Sequence, residues 1–184
     1  MKLKHPNVGL LQGLNIWGKT KELLILKSVI GQLPNVRFYL AGDGTFRDKV
    51  IPELENFENF SWLGNLDYPD KVKGFLSEID IFLLLSGLEG LGQSIIEASL
   101  MKKPIIASDV GGIRDLIQDG INGFLVKEGD SEKILEIIKR YTNDPEFAEK
   151  IAENAYSSVR EEYDWKNVAE KFLKILQEEK FVKN

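Results

Sequence analysis

Ile81-Phe82-Leu83-Leu84-Leu85 is an unbroken apolar run set between Asp80 and Ser86. A strand with one wet face alternates apolar and polar side chains. A run without alternation therefore predicts a strand covered on both faces. The same unit recurs along the chain: a short apolar run, a turn rich in glycine, then a segment of helical periodicity. Residues 8–14, 36–41, 60–63, 81–85, 104–107 and 124–126 read as strands. Helical segments are expected over 19–33, with Leu23, Leu26, Ile30 and Leu33 on one face, and over 45–56, capped by Thr45. Others are expected at 69–79, at 92–101, and from Gly111-Gly112 to about Gly120. Asp130 caps one to about Tyr141, Asp144-Pro145 starts the next, and Asp164 starts the last, to about Phe181.

Repeated strand–helix units build a parallel sheet with helices on both faces. The expected fold is thus α/β: a Rossmann-like three-layer sandwich with a parallel sheet of about six strands, in a single domain over residues 1–184. Such sheets bind ligands outside the carboxyl ends of their strands, where the strand order reverses. Each glycine turn follows a strand, so the turns gather on that edge.

Composition excludes several chemistries. There is no cysteine, hence no disulfide, zinc–thiolate site or thiol catalysis. The only histidine, His5, precedes Pro6 near the N-terminus and reads as a surface residue, which leaves no Ser-His-Asp triad. Net charge is −5, against a binder of nucleic-acid backbone. No apolar run approaches the ~20 residues of a membrane span. Met1-Lys2-Leu3-Lys4 mimics the start of a signal peptide, but Gln12, Asn15 and Lys19 interrupt the stretch after it, and a cytoplasmic location is expected. No metal site is expected, for want of a tight carboxylate cluster.

Three motifs carry chemistry. Gly13-Leu14-Asn15-Ile16-Trp17-Gly18-Lys19-Thr20 satisfies the phosphate-loop spacing, yet its interior is bulky and the chain shows no later strand ending in Asp to hold a metal. The preferred reading is a phosphate-contacting Lys19 at a helix start, against a plain strand–helix turn with a surface lysine. Gly111-Gly112 opens a helix, where a ligand could approach backbone N–H groups; a simple turn is the alternative. The third motif is Glu89-Gly90-Leu91-Gly92-Gln93-Ser94-Ile95-Ile96-Glu97, after the apolar strand. Glu97 lies among Ile95, Ile96 and Ala98, and a carboxylate in such a setting is costly to bury without a partner. The acids of a glycosidase stand roughly 5–9.5 Å apart. Eight residues across a turn and a helix place Glu89 and Glu97 nearer ~12 Å, which favours two separate grips on one extended ligand over a hydrolytic pair or two unrelated surface acids.

The order of these motifs resembles the donor-binding, C-terminal half of retaining glycosyltransferases of the GT-B fold, family 4. The hallmark block of that family, Ser-x-x-Glu-Gly-x-Gly-x4-Glu-Ala, reads here Ser86-Gly87-Leu88-Glu89-Gly90-Leu91-Gly92-Gln93-Ser94-Ile95-Ile96-Glu97-Ala98. Gly42-Asp43-Gly44, the strand end at Gly64, Lys103-Pro104 with Gly111-Gly112, Asp119-Gly120-Ile121-Asn122-Gly123, and Tyr163-Asp164-Trp165 match in order. The resemblance implies a nucleotide-activated sugar (UDP-, GDP- or ADP-linked) as donor substrate, with no cofactor and no metal. It implies catalytic roles for Glu89, at the sugar hydroxyls, and Lys19, at the leaving phosphate. Glu97 would hold the ribose, Gly90, Leu91 and Gly92 would meet sugar and phosphates, and the base would lie near Gly64-Asn65-Leu66. Gly13, Gly111 and Gly112 complete the expected contacts.

Two departures accompany the resemblance. Leu14 stands where the family has Arg, and Thr20 where it has Gly; Lys21 and Arg114 are the cations that could compensate. A GT-B transferase is also about twice as long, its acceptor site belonging to an N-terminal half. The resemblance therefore implies a missing acceptor domain or separate subunit. Any membrane contact would come through that half, and Trp165, Phe172, Leu173 and Ile175 of the final helix could pack toward it. A non-catalytic nucleotide-sugar-binding module and a sugar-nucleotide epimerase-like protein are the alternatives.

Overall fold

The computed structural model describes residues 2–178. Six strands run in order: β1 (Asn7–Leu11), β2 (Arg37–Ala41), β3 (Phe60–Gly64), β4 (Ile81–Leu84), β5 (Ile105–Ser108) and β6 (Phe124–Val126). The helices are α1 (Trp17–Thr20), α2 (Leu26–Ile30), α3 (Ile51–Leu54), α4 (Asp70–Glu78), α5 (Gln93–Leu100), α6 (Ile113–Leu116), α7 (Ser131–Asn143), α8 (Pro145–Glu162) and α9 (Trp165–Glu178). All strand pairs are parallel, in the order β3-β2-β1-β4-β5-β6. That is the doubly wound arrangement, with its reversal of order between β1 and β4.

Period-2 alternation divides the strand residues between two cores. Val8, Leu10, Phe38, Leu40, Leu83 and Ile106 face α2, α3 and α7. Tyr39, Ala41, Phe82, Leu84, Ile105 and Ala107 face α4, α5 and α6. As the apolar run predicts, β4 is buried along its whole length.

Several elements are shorter than their periodicity suggests. The segment expected as one helix over 19–33 is α1, a 3-10 stretch at Lys21–Ile25, then α2. Backbone angles stay helical through the junctions, with ψ −35° at Thr20 and −26° at Ile25, so one helical path is tightened in its middle. The helix expected over 45–56 is a 3-10 turn at Arg47–Lys49 followed by α3 alone. Thr45 caps nothing there: its N–H and hydroxyl both donate to Asn15 Oδ1, at 3.1 and 3.3 Å. α6 stops at Leu116, well short of Gly120. Buried Asn122 accepts from the Gln118 N–H at 2.7 Å and donates to the Leu116 carbonyl at 3.1 Å, which replaces continued helix. By contrast, Asp130 and Asp144 cap α7 and α8 as expected, accepting from the N–H groups of Lys133 and Phe147 at 3.0 Å each. The expected end of the last helix, about Phe181, lies outside the described residues.

At the amino edge of the sheet, His5 is a surface residue, as expected, and is tethered there. Its Nδ1 lies 2.8 Å from Asp80 Oδ2, and Asp80 also accepts from the Asn7 N–H at 2.8 Å. Leu3 is buried, its N–H donating to Glu78 Oε2 at 3.2 Å. No helix among the described residues is long and apolar enough to cross a membrane.

Asn59 is the main polar brace of the β2–β3 side. Buried ahead of β3, its amide lies 2.9 Å from the Leu33 carbonyl, 3.0 Å from that of Val36 and 3.3 Å from that of Ile30. These carbonyls close the turn after α2, and without Asn59 they lose that donor. Asn59→Ala is expected to cost roughly 2–3 kcal/mol and lower the melting temperature by roughly 5–10 °C. Asn56→Ala, which removes an exposed amide, is expected to stay within about 0.5 kcal/mol. Thermal unfolding followed by circular dichroism compares the two; equal effects would refute the bracing role.

Candidate functional site

The carboxyl ends of β1 and β4 open into a cavity of about 670 Å³. Four strand ends supply its wall. Gln12, Gly13 and Asn15 follow β1, Asp43 follows β2, Asn65, Leu66 and Tyr68 follow β3, and Glu89 follows β4. Lys19 enters from α1, and Gln93, Ser94 and Glu97 from α5. Of the candidate residues, Lys19, Glu89, Glu97, Gly13 and Leu66 are thus brought together, with Asn65 beside them.

Glu89 and Lys19 meet directly, Lys19 Nζ lying 3.1 Å from Glu89 Oε1. Their side chains are only 14% and 24% exposed, so water screens the pair less than it screens a surface bridge. Glu97 is different. Half-buried on the cavity wall, its carboxylate has no hydrogen bond or ion pair among the described residues. Burial alone pushes its carboxyl above the usual carboxylate range.

The loop carrying Glu89 is held by close backbone packing. The Ser86 N–H donates to Ser108 Oγ at 3.0 Å, and the Ser86 hydroxyl donates to the Leu88 carbonyl at 3.0 Å. Gly111 and Gly112 form the seat beneath it. A Cβ on Gly111 would stand 2.1 Å from the Glu89 carbonyl oxygen, and one on Gly112 would stand 1.8 Å from that of Gly90. The missing side chains therefore admit the Glu89 loop, and Gly111 and Gly112 are not among the cavity-lining residues. The structure places the pair beneath the loop, with the Gly112 N–H donating to the Glu89 carbonyl at 3.3 Å.

Gly90, Leu91 and Gly92 likewise do not line the cavity; Leu91 is half exposed. Gly92, at φ +70°, turns the chain into α5 in a left-handed conformation that suits glycine. No side chain caps α5, and its first two residues, Gln93 and Ser94, reach the cavity. The helix start thus presents its positive dipole end to the site one residue later than the glycines suggest.

Charge in the cavity is unbalanced. Lys19 is the one cation among the described lining residues, against Asp43, Glu89 and Glu97. Leu14, at the position where the resembled family has Arg, is fully buried in the core, and Thr20 is buried with its hydroxyl on the Ile16 carbonyl at 3.0 Å. Neither candidate substitute reaches the cavity. Lys21 pairs with Glu128 at 3.2 Å, and Arg114 with Asp109 at 2.6 Å. Arg47 lines an adjoining hollow, where Asp43 and Asp48 hold it at 3.1 and 3.2 Å. No group of three or more His, Asp or Glu among the described residues is placed to hold a metal ion.

Sequence reasoning missed Gln12, Tyr68, Gln93 and Ser94. Tyr68 is 72% exposed at the cavity mouth, and only an aromatic residue in a short polar loop could have flagged it. Gln12 directly follows β1, its amide donating to the Leu85 carbonyl at 3.0 Å, while its Oε1 is buried without a partner. Trp62, by contrast, is structural, its indole N–H donating to the Gly42 carbonyl at 2.8 Å.

Known proteins share this fold. The chain is 32% identical over 152 residues to the sulfoquinovosyl transferase SQD2 of Arabidopsis thaliana, a match covering 81% of this chain and 29% of that protein. It superposes on the structure of Anabaena Alr3699/HepE in complex with UDP with a TM-score of 0.78 at 25% identity, covering 94% of this chain and 48% of that one. The C-terminal domain of a glycosyl transferase group 1 family protein (LpcC) from Francisella tularensis shares the fold, with a TM-score of 0.74 at 21% identity over 86% of both chains. The chain thus spans less than half the length of SQD2 and of HepE. The profile of the family described as glycosyl transferases group 1 matches residues 18–158, and the chain belongs to that family.

Proposed function

We propose that this chain is the donor-binding half of a retaining glycosyltransferase and holds a nucleotide-activated sugar at the β1–β4 crevice. The observation that carries the reading is Glu97, a half-buried carboxylate on the cavity wall with no partner of its own. Ribose hydroxyls would donate to it and offset its desolvation. Glu89 takes the sugar hydroxyls. Lys19 and the uncapped start of α5 take the phosphates, and Lys19 offsets charge on the leaving group. Asn65, Leu66 and Tyr68 line the side of the cavity assigned to the base. The reading gives the phosphate charge to Lys19 and to backbone dipoles, and assigns no metal or other cofactor. HepE, which binds UDP, supports a nucleotide as part of the ligand.

Acceptor binding falls to a second half, as a domain or a subunit. The length of the related proteins supports this. So does α9, on which Trp165, Phe172, Leu173 and Ile175 are 85%, 59%, 54% and 56% exposed. Any approach to a membrane is assigned to that half.

Thermal-shift titration with UDP, GDP and ADP tests the donor site. At a hundredfold excess over Kd, the correct nucleotide should add about 2.7 kcal/mol, which raises the melting temperature by roughly 5–10 °C. Glu97→Gln should weaken that binding roughly ten- to a hundredfold, the worth of hydrogen bonds to a charged acceptor. No shift with any of the three, from a folded protein, would refute the reading.

Glu97 also sets a pH dependence. Its carboxyl titrates above the unfolded value, so the free folded chain binds more protons than the unfolded one between the two. Glu97 therefore favours the fold below that window, and this contribution is lost as pH rises through the folded pKa. Glu97→Gln should raise the melting temperature of the free chain at neutral pH, and the gain should vanish on acidification through the window. A gain that is the same at every pH would mean that Glu97 does not titrate as assigned.

A further inference from the structure

We propose that the Lys19–Glu89 ion pair is a latch that makes the site discriminate in favour of the intact nucleotide sugar over the sugar-free nucleotide. The inference rests on the donor-site reading above and adds a specificity role to the two side chains together.

Lys19 and Glu89 satisfy each other at 3.1 Å, and each is largely shielded from water. Lys19 is also the one cation among the described residues that line the cavity. An incoming diphosphate must therefore take Lys19 from Glu89. Held by Ser86, Ser108 and the glycine seat, the Glu89 loop has little freedom to carry its carboxylate out to solvent. A nucleotide without sugar thus gains one ion pair, breaks another, and strands a poorly hydrated carboxylate. The intact donor breaks the same pair but brings hydroxyls that donate to Glu89. It exchanges one satisfied pair for two satisfied contacts. The spent nucleotide is disfavoured by the pair that the full donor opens without loss, so product leaves more readily than donor.

A residue that only contacts sugar hydroxyls would not affect binding of a nucleotide that has no sugar. The latch predicts that it does. Isothermal titration with the tightest binder among UDP, GDP and ADP is compared for the parent, Glu89→Gln and Glu89→Ala. Both variants should bind the diphosphate about three- to fivefold more tightly than the parent, because Lys19 is already free. The gain should disappear in the double variant Lys19→Met, Glu89→Gln, and it should be absent for the matching uncharged nucleoside, which does not compete for Lys19. Circular dichroism melts confirm that each variant is folded. Equal or weaker diphosphate binding by both folded Glu89 variants overturns the latch and leaves the nucleotide site standing. Failure of the folded parent to bind any of the three nucleotides overturns the donor site, and the latch with it.

Discussion

The parallel pairing of β1 with β4 is the constraint on which the site depends. From β1 the chain moves outward to β2 and β3; from β4 it moves the other way, to β5 and β6. The loops leaving the two central strands therefore diverge, and a crevice opens above them where a continuous order would leave a packed turn. The polar residues in that crevice come from segments far apart in sequence. Lys19 follows β1, while Glu89 and Glu97 follow β4, and only this pairing brings them to one wall. The glycines behind the wall matter as much. Carbonyls of Glu89 and Gly90 occupy the space that side chains on Gly111 and Gly112 would need, so the β5–α6 turn fixes where Glu89 stands.

Under the proposed function, the crevice gathers an anionic ligand with very little positive charge of its own. Three carboxylates face it, and its one ammonium group among the described residues is already paired. The basic side chains of Lys21, Arg114 and Arg47 are held by Glu128, Asp109, Asp43 and Asp48. Under the proposed function, attraction of phosphate draws on oriented dipoles as well as Lys19: α5 has no side-chain cap and its first two residues line the site, so its start brings a partial positive charge and no full one. Dipoles fixed by the fold need no reorganisation when a ligand arrives. They also leave the charge balance to be set locally, contact by contact, which is why one ion pair can weigh so heavily in what binds.

The strands and their parallel sense were legible because both arise from patterning: unbroken or alternating apolar runs, each leading into a turn and a helical segment. The strand order was not legible, since nothing in a run such as residues 104–107 says which neighbour it pairs with. Helix lengths failed where a single side chain diverts the backbone, as Asn122 does after α6 and Asn15 does at Thr45. Of the site, Glu97 was readable as a misplaced charge and Lys19 as a cation at a helix start. The glycine pair was ambiguous for a physical reason. A glycine marks a close approach to its backbone, and the sequence does not say whether ligand or protein makes it; here protein does. Tyr68 and Gln12 carried no pattern, because a lone exposed aromatic and a strand-end amide are common in any folded chain.

Helix α9 has the same kind of deficit as the crevice. A helix of this length is marginal in water on propensity alone and relies on packing of its apolar face. Trp165, Phe172, Leu173 and Ile175 are exposed, so that packing is not supplied by the described residues of this chain. Under the proposed function, a second half that covers these residues would contribute to the stability of the donor half as well as to catalysis. The crevice asks something different of the same partner. Under the proposed function, Lys19 and the start of α5 carry the phosphate charge from this side, and with Leu14 buried where the resembled family has Arg, any further cation would come from the second half. The donor would then be fully neutralised only when the halves are together. In such an arrangement the leaving phosphate would be best stabilised in the assembled protein, where an acceptor is present, and less so in the separate half, where transfer to water would waste the sugar.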